Sequence, residues 1–221
     1  MSESAALLIL HEKCNKPASE PEWLDWHRDV HEPDLLGTGA RHVTAWQLAR
    51  KPEPGMPGLG FSHVTIVEYA AGAMPDVAAA FADLRVRGRL HATHTVIDAQ
   101  TYVVHGRWGD KPDPDDTLRG HILAHVMAND PSREQEWDAW YDDEHVPDMM
   151  ASGAFSAATR WRREPRHAFG PNHITLYDVA HESVDTAVEL SAAVMPGLIA
   201  AGRKHETHTG ALTVTLIKAA P

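Results

Sequence analysis

The sequence predicts an α+β protein made of two tandem β-α-β-β-α-β units. Three observations carry this: a stretch written twice, histidines repeated at a constant offset, and one order of hydrophobic periodicities in both halves. WLDWHRDVHEPD (Trp23–Asp34) returns as WDAWYDDEHVPD (Trp137–Asp148). Each copy holds two tryptophans three apart, then a ring residue (His27 or Tyr141), a histidine four further on (His31 or His145), and x-Pro-Asp. Such a repeat has to be settled first, because a missed duplication mis-assigns the whole fold.

The offset of 145 − 31 = 114 also pairs His11 with His125, and His91 and His94 with His205 and His208. A shift of four, taken up by a loop of different length, pairs His63 with His173 and Glu68 with Asp178. Five pairs account for 10 of the 16 histidines. Most surrounding positions have diverged, which makes the retained histidines candidates for function.

Each half reads the same way by period and punctuation. Ala6–His11 is a short apolar run suited to a buried strand. Glu20–Leu36 has apolar residues at helical spacing, with Pro21 where a helix start tolerates proline. His42–Leu48 and Ser62–Tyr69 alternate as strands, and the proline- and glycine-rich Lys51–Gly60 between them reads as a loop. Pro75–Arg87 is an alanine-rich helix, and Thr95–His105 a β-branched strand. The second half repeats the order as His121–Met127, Arg133–Met150, Ala157–Arg163, Asn172–Val179, Val184–Ala201 and Ala211–Ala219. This is the ferredoxin-like arrangement, an antiparallel four-stranded sheet with both helices on one face. Two such sheets packed face to face would bury each other, so one chain can supply a complete pair. The expected boundaries are 1–108 for the first repeat, 109–120 for an acidic, proline-containing linker, and 121–221 for the second.

Composition narrows the partners. A net charge of −11 is a poor match for a phosphate backbone, which excludes nucleic acid. The N-terminal apolar run is only six residues long with no basic segment ahead of it, so neither a secretory signal nor a membrane span is expected. Cys14, the single cysteine, can form no internal disulfide, and a cytoplasmic setting is the expectation. Homo-oligomerisation stays open. There is no glycine-rich phosphate loop and no G-x-S-x-G elbow, which argues against nucleotide use and acyl-enzyme chemistry.

The pattern W-x-x-[HY]-x-x-x-H-x-P, present as DWHRDVHEPDLL and AWYDDEHVPDMM, resembles the dimeric α+β barrel superfamily and in particular its EthD-like members. The resemblance spans nearly the whole chain as a fused pair. It implies a small-molecule pocket between helices and sheet within each unit, with His31 or His145 projecting toward it. Fold alone does not fix the reaction.

The candidate acid–base residues are His31, His145, His11, His125, His63, His173, His94 and His208. A histidine in the first strand would converge with one in the third if both share a sheet face. His31 and His145 could instead cap a helix C-terminus, since the proline two residues later predicts a break there. His27, Tyr141, Trp23 and Trp137 are candidate substrate contacts, although tryptophans at i, i+3 also read as a core stripe. Three imidazoles with water would suit zinc, and two with a carboxylate ferrous iron, the oxygen coming from Asp34, Asp148, Glu68 or Asp178. No short metal-binding spacing is present, so neither a metal nor an organic cofactor is expected. The resulting expectation is a cofactor-independent enzyme working on a small apolar or aromatic molecule by lyase, isomerase, decarboxylase or cyclase chemistry. A cofactor-free or metal-dependent oxygenase and a non-catalytic binding protein are the alternatives.

Overall fold

The computed structural model of the chain describes residues 5–49, 59–112, 117–168 and 170–218. The expected Lys51–Gly60 loop lies outside them except for Leu59 and Gly60, as do residues 113–116 of the expected linker and Ala219. The chain divides into two compact units, the first reaching Val104 and the second spanning His105–Ile217. No helix among the described residues is long and apolar enough to cross a membrane.

In the first unit, β1 (Ala6–Cys14), β2 (His42–Leu48), β3 (His63–Tyr69) and β4 (His94–Gly109) pair antiparallel in the order β4-β1-β3-β2. The two central strands are the first and third, as β-α-β-β-α-β connectivity requires. Even-numbered residues of β1 face the helices: Ala6, Leu8 and Leu10 pack with Leu35 of one helix and with Val77 and Phe81 of the next. β1 runs three residues past its expected end at His11, which carries Glu12 onto the same face as Leu8 and Leu10. A bulge falls at this point, where β4 spends an extra residue, Ile97, between the partners of His11 and Glu12.

The expected Glu20–Leu36 helix forms as α1 (Glu20–Trp26), a π-turn (His27–His31) and α2 (Glu32–Leu36). Pro33 does not break it, contrary to the sequence expectation. The π-turn lengthens the backbone bonding to i→i+5, with the Glu32 N–H reaching the His27 carbonyl, just ahead of the proline. The N–H that Pro33 lacks is therefore missing where the α-helical ladder is already interrupted. α3 (Val77–Val86) completes the unit, its Asp76 cap accepting from the Ala79 N–H.

The second unit repeats this plan with β5 (Gly120–Ala128), α4 (Glu134–Trp140), a π-turn (Tyr141–His145), α5 (Val146–Ala151), β6 (Ala157–Arg163), β7 (His173–Val179), α6 (Val184–Ala200) and β8 (His208–Lys218). Its sheet order is β8-β5-β7-β6, all antiparallel. The bulge recurs, with Ala211 as the extra residue between the partners of His125 and Val126. Ile122, Ala124 and Val126 face the helices, where they pack with Trp137, Tyr141, Val146 and Met149.

Candidate functional site

The π-turn of the first unit aims two imidazoles at one carboxylate. Glu12, with no exposed surface, accepts from His27 Nε2 at 3.1 Å through one oxygen and from His31 Nε2 at 3.1 Å through the other. Thr65, opposite Leu10 on β3, donates a short hydrogen bond to Glu12 and lies 3.0 Å from His27 Nε2. The other nitrogen of His27 faces Glu32 Oε1 at 3.2 Å. Burial opposes charge on His27, but its bonds to Glu12 and Glu32 outweigh that and push its pKa up to about 9. Burial likewise opposes the Glu12 carboxylate, and the two imidazoles hold it well below the usual carboxylate range. Glu12 and His27 form a buried ion pair at neutral pH.

Aromatic rings wall this cluster. His31 stacks on Trp26, with ring centres 4.9 Å apart and planes inclined by 21°. Trp23, fully buried, touches the rings of His27 and His63 at 5.2 and 4.8 Å. Its indole N–H donates to His94 Nδ1 at 3.3 Å, which leaves the proton of the neutral ring on Nε2. That Nε2 is 3.4 Å from Glu12 Oε1 without making a hydrogen bond. Burial, reinforced by the charges of His31 and His27 and opposed by Glu12, pushes the His94 pKa down to about 4.

The second unit keeps the frame and changes the centre. The place of Glu12, opposite His63, is taken by Val126, opposite His173. The place of His27 is taken by Tyr141, whose hydroxyl accepts from Thr175 at 3.1 Å. The place of Ala45, opposite Thr65, is taken by Arg160, opposite Thr175. Arg160 has no exposed surface, lies 4.4 Å from the centre of the Tyr141 ring and donates to Asp138 at 2.7 Å, to Asp142 and to His173 Nδ1 at 3.4 Å. His173 Nε2 donates to Glu134 at 3.0 Å. His145 has ring contacts with Trp140, Tyr141 and His208 but no hydrogen bond among the described residues. Burial, aided by His208 and Arg160 and opposed by Asp148, pushes its pKa down to about 3. His208, whose Nδ1 accepts from Trp137 at 3.3 Å, is pushed down to about 4, chiefly by burial.

Several sequence expectations are corrected by this geometry. His11 and His125 do not converge with His63 and His173: each pairs directly with Val64 or Ile174, one residue along, and therefore points to the opposite sheet face. His11 rests there against Phe61, ring centres 4.4 Å apart. Asp34 and Asp148 are held by Arg89 and Arg203, and Asp178 by His121 at 2.8 Å, so these carboxylates are committed elsewhere. Trp23 and Trp137 are completely buried, and the direct contacts they make are to core residues and the site histidines. His91 and His205 brace their own turns through Thr93 and Thr207.

Sequence reasoning missed Glu12 and Arg160, because neither has a counterpart in the other half. The available signal was period two: Glu12 follows Leu8 and Leu10, and Arg160 follows Ala158, as charges in register with buried apolar residues.

No family model matches the chain, and no curated protein is recognisably similar to it. Solved structures are. A candidate chlorite dismutase superposes with a TM-score of 0.61 at 10% identity, over 99% of this chain and 96% of that one. A variant of Rhodococcus jostii DypB in complex with heme gives 0.61 at 11%, over 99% and 94%. A candidate monooxygenase from Fusobacterium nucleatum gives 0.59 at 11%, over 98% and 93%. The chain shares their α+β fold. The narrower EthD-like resemblance finds no counterpart among these matches. The expectation that no organic cofactor is needed is overturned, because a protein of this same fold holds heme.

A histidine that holds heme iron needs one ring nitrogen free for the metal, the other usually being hydrogen-bonded. In the first unit His27 and His31 spend their Nε2 atoms on Glu12. His31 Nδ1 is free of hydrogen bonds among the described residues; in the second unit His145 is kept neutral by burial and makes none, so it is a residue that would hold such a group.

Proposed function

We propose that this protein is an enzyme acting on a small, largely apolar or aromatic molecule, with its acid–base chemistry carried by the first unit. The supporting observation is Glu12. A carboxylate this deeply buried costs several kcal/mol in desolvation, roughly, and the valine at the same place in the second unit shows that the fold does not require it.

In this reading His31 is the proton-transfer group. Its Nε2 donates to Glu12, which fixes the ring, while Nδ1 has no hydrogen-bond partner among the described residues and is left to exchange a proton with a bound molecule. His27, a cation beside it, is spent on Glu12 and Glu32 and helps to keep Glu12 ionised. This set suits a lyase- or isomerase-type step at a carbon next to a carbonyl or phenol, and the repeated W-x-x-[HY]-x-x-x-H-x-P pattern supports an EthD-like reading.

Oxidation of the same class of molecule is a second reading. It is favoured by the convergence of two imidazoles and a carboxylate, and by the monooxygenase and DypB structures of the same fold. Heme would be held in this chain by His145 and would supply one-electron and oxygen chemistry when bound.

The test is turnover of a panel of small aromatic carbonyl compounds and phenols, with and without oxygen. Loss of turnover in His31→Ala and Glu12→Gln, with His145→Ala active, is the expected result of the first reading; loss in His145→Ala with His31→Ala active would favour the heme reading instead. Undiminished turnover by His31→Ala would rule out the assignment.

A further inference from the structure

We infer that Glu12, His27 and His31 form a binding site for a divalent first-row transition metal, ferrous iron foremost, in the first unit only. This rests on the reading of the first unit as the catalytic one. One ligand atom from each of Glu12, His27 and His31 lies within 4.8 Å of the other two. Both imidazole nitrogens are 3.1 Å from Glu12 oxygens. Donors at about 2.1 Å from a six-coordinate ion stand about 3 Å apart along each edge, so a metal would enter by replacing the shared protons and drawing the three donors together.

The surroundings are those of a prepared site. Glu32 accepts from His27 Nδ1 at 3.2 Å, which fixes the ring and the tautomer that presents a lone pair on Nε2. Trp26 holds the His31 ring by stacking. An independent observation points to a ligand at this place: His94 Nε2 is buried, makes no hydrogen bond and faces Glu12. The Trp23 N–H fixes the His94 tautomer with its proton on that Nε2, so His94 is a donor to whatever occupies the open side of the ion, not a fourth ligand. Two imidazoles and one carboxylate leave coordination positions open, the arrangement suited to iron(II) that must also take a substrate. With metal in place the ion would polarise the substrate oxygen, and His31, as a ligand, would no longer be the proton-transfer group.

The other cluster of similar composition among the described residues lacks this character. His105, Asp138 and Asp142 also lie within reach of one point, but Arg160 donates to both carboxylates and neutralises them. The second unit has Val126 and Tyr141 where the first has two of its ligands.

The experiment uses the full chain, stripped with chelator and titrated anaerobically with iron(II), and separately with cobalt(II), whose visible absorption reports coordination. One equivalent is expected to bind tightly to wild type and to His145→Ala. Glu12→Gln should weaken it at least about 100-fold, and Glu32→Gln about 10-fold, within the range for loss of an outer-shell partner. Glu32 is partly exposed, so its variant remains informative should Glu12→Gln fail to fold. Binding that is absent, or unchanged in both Glu12→Gln and Glu32→Gln, overturns the metal site. Turnover separates the two readings: activity lost in Glu12→Gln without any metal bound refutes the metal and keeps the catalytic assignment. One bound equivalent with turnover indifferent to Glu12→Gln refutes the catalytic assignment and keeps the metal.

Discussion

Where the first unit sets Glu12 on its inner strand, beside the bulge of β4, the second sets Val126; where the first has His27 and Ala45, the second has Tyr141 and Arg160. Around these differences the frame is retained in detail. In each unit a buried tryptophan donates to a histidine at 3.3 Å, and a second tryptophan donates to an arginine carbonyl at 2.9 Å. In each, the aspartate after the H-x-P step is clasped by that same arginine. The duplicated scaffold thus tolerates a buried anion in one copy and a buried cation in the other, because each charge is met by groups its own unit supplies. The Glu12 carboxylate meets imidazoles and a hydroxyl; the Arg160 guanidinium meets two aspartates and two aromatic faces.

The comparison can be broken most directly by activity. Glu12→Gln is expected to lower turnover on the order of 10³-fold, within the range for a lost acid–base group, while His145→Ala changes it less than about threefold. Equal losses in the two would abolish the distinction between the units. Stability tests the other centre. Arg160→Met should cost about 3–5 kcal/mol in urea unfolding, since it leaves Asp138 and Asp142 without their buried partner, and should leave turnover of the folded protein near wild type.

Acid acts on both units, since His94 is pushed down like its counterpart His208. In the second unit His145 and His208 have folded pKa values of about 3 and about 4, below the unfolded value near 6.5. The unfolded chain therefore binds more protons, and stability present above pH 6.5 is lost as pH falls toward 4, by at most about 1.4 kcal/mol per pH unit for each histidine. Replacing both by leucine should flatten that acid limb, as read from urea midpoints at pH 7.5 and 5. The smallest effect is expected at the matched clamps. Asp34→Asn and Asp148→Asn remove equivalent, partly exposed ion pairs, so each should lower the melting temperature slightly and by the same amount.

Much of the fold was legible because hydrophobic period and punctuation are local. β2 and β6 occupy the spans their alternation predicts, and α6 ends within a residue of its expected limit. The site was legible only in part. Comparing the halves selects what both retain, and that led to His31, His94 and their partners, but it passed over Glu12 and Arg160, which define the centres through being unmatched. Whether His11 shares a face with His63 stayed open in the sequence for a different reason: face depends on strand register, and a one-residue offset reverses it.

The sequence by itself determined the duplication, the order of elements in each unit and the repeated histidines, since these follow from spacing along the chain. Only the tertiary structure decided which of those histidines meet a carboxylate. The π-turn that carries His27 and His31, the bulge beside Glu12 and the pairing of β1 with β3 are set by contacts between residues far apart in the chain. Their convergence on one buried charge exists only after folding.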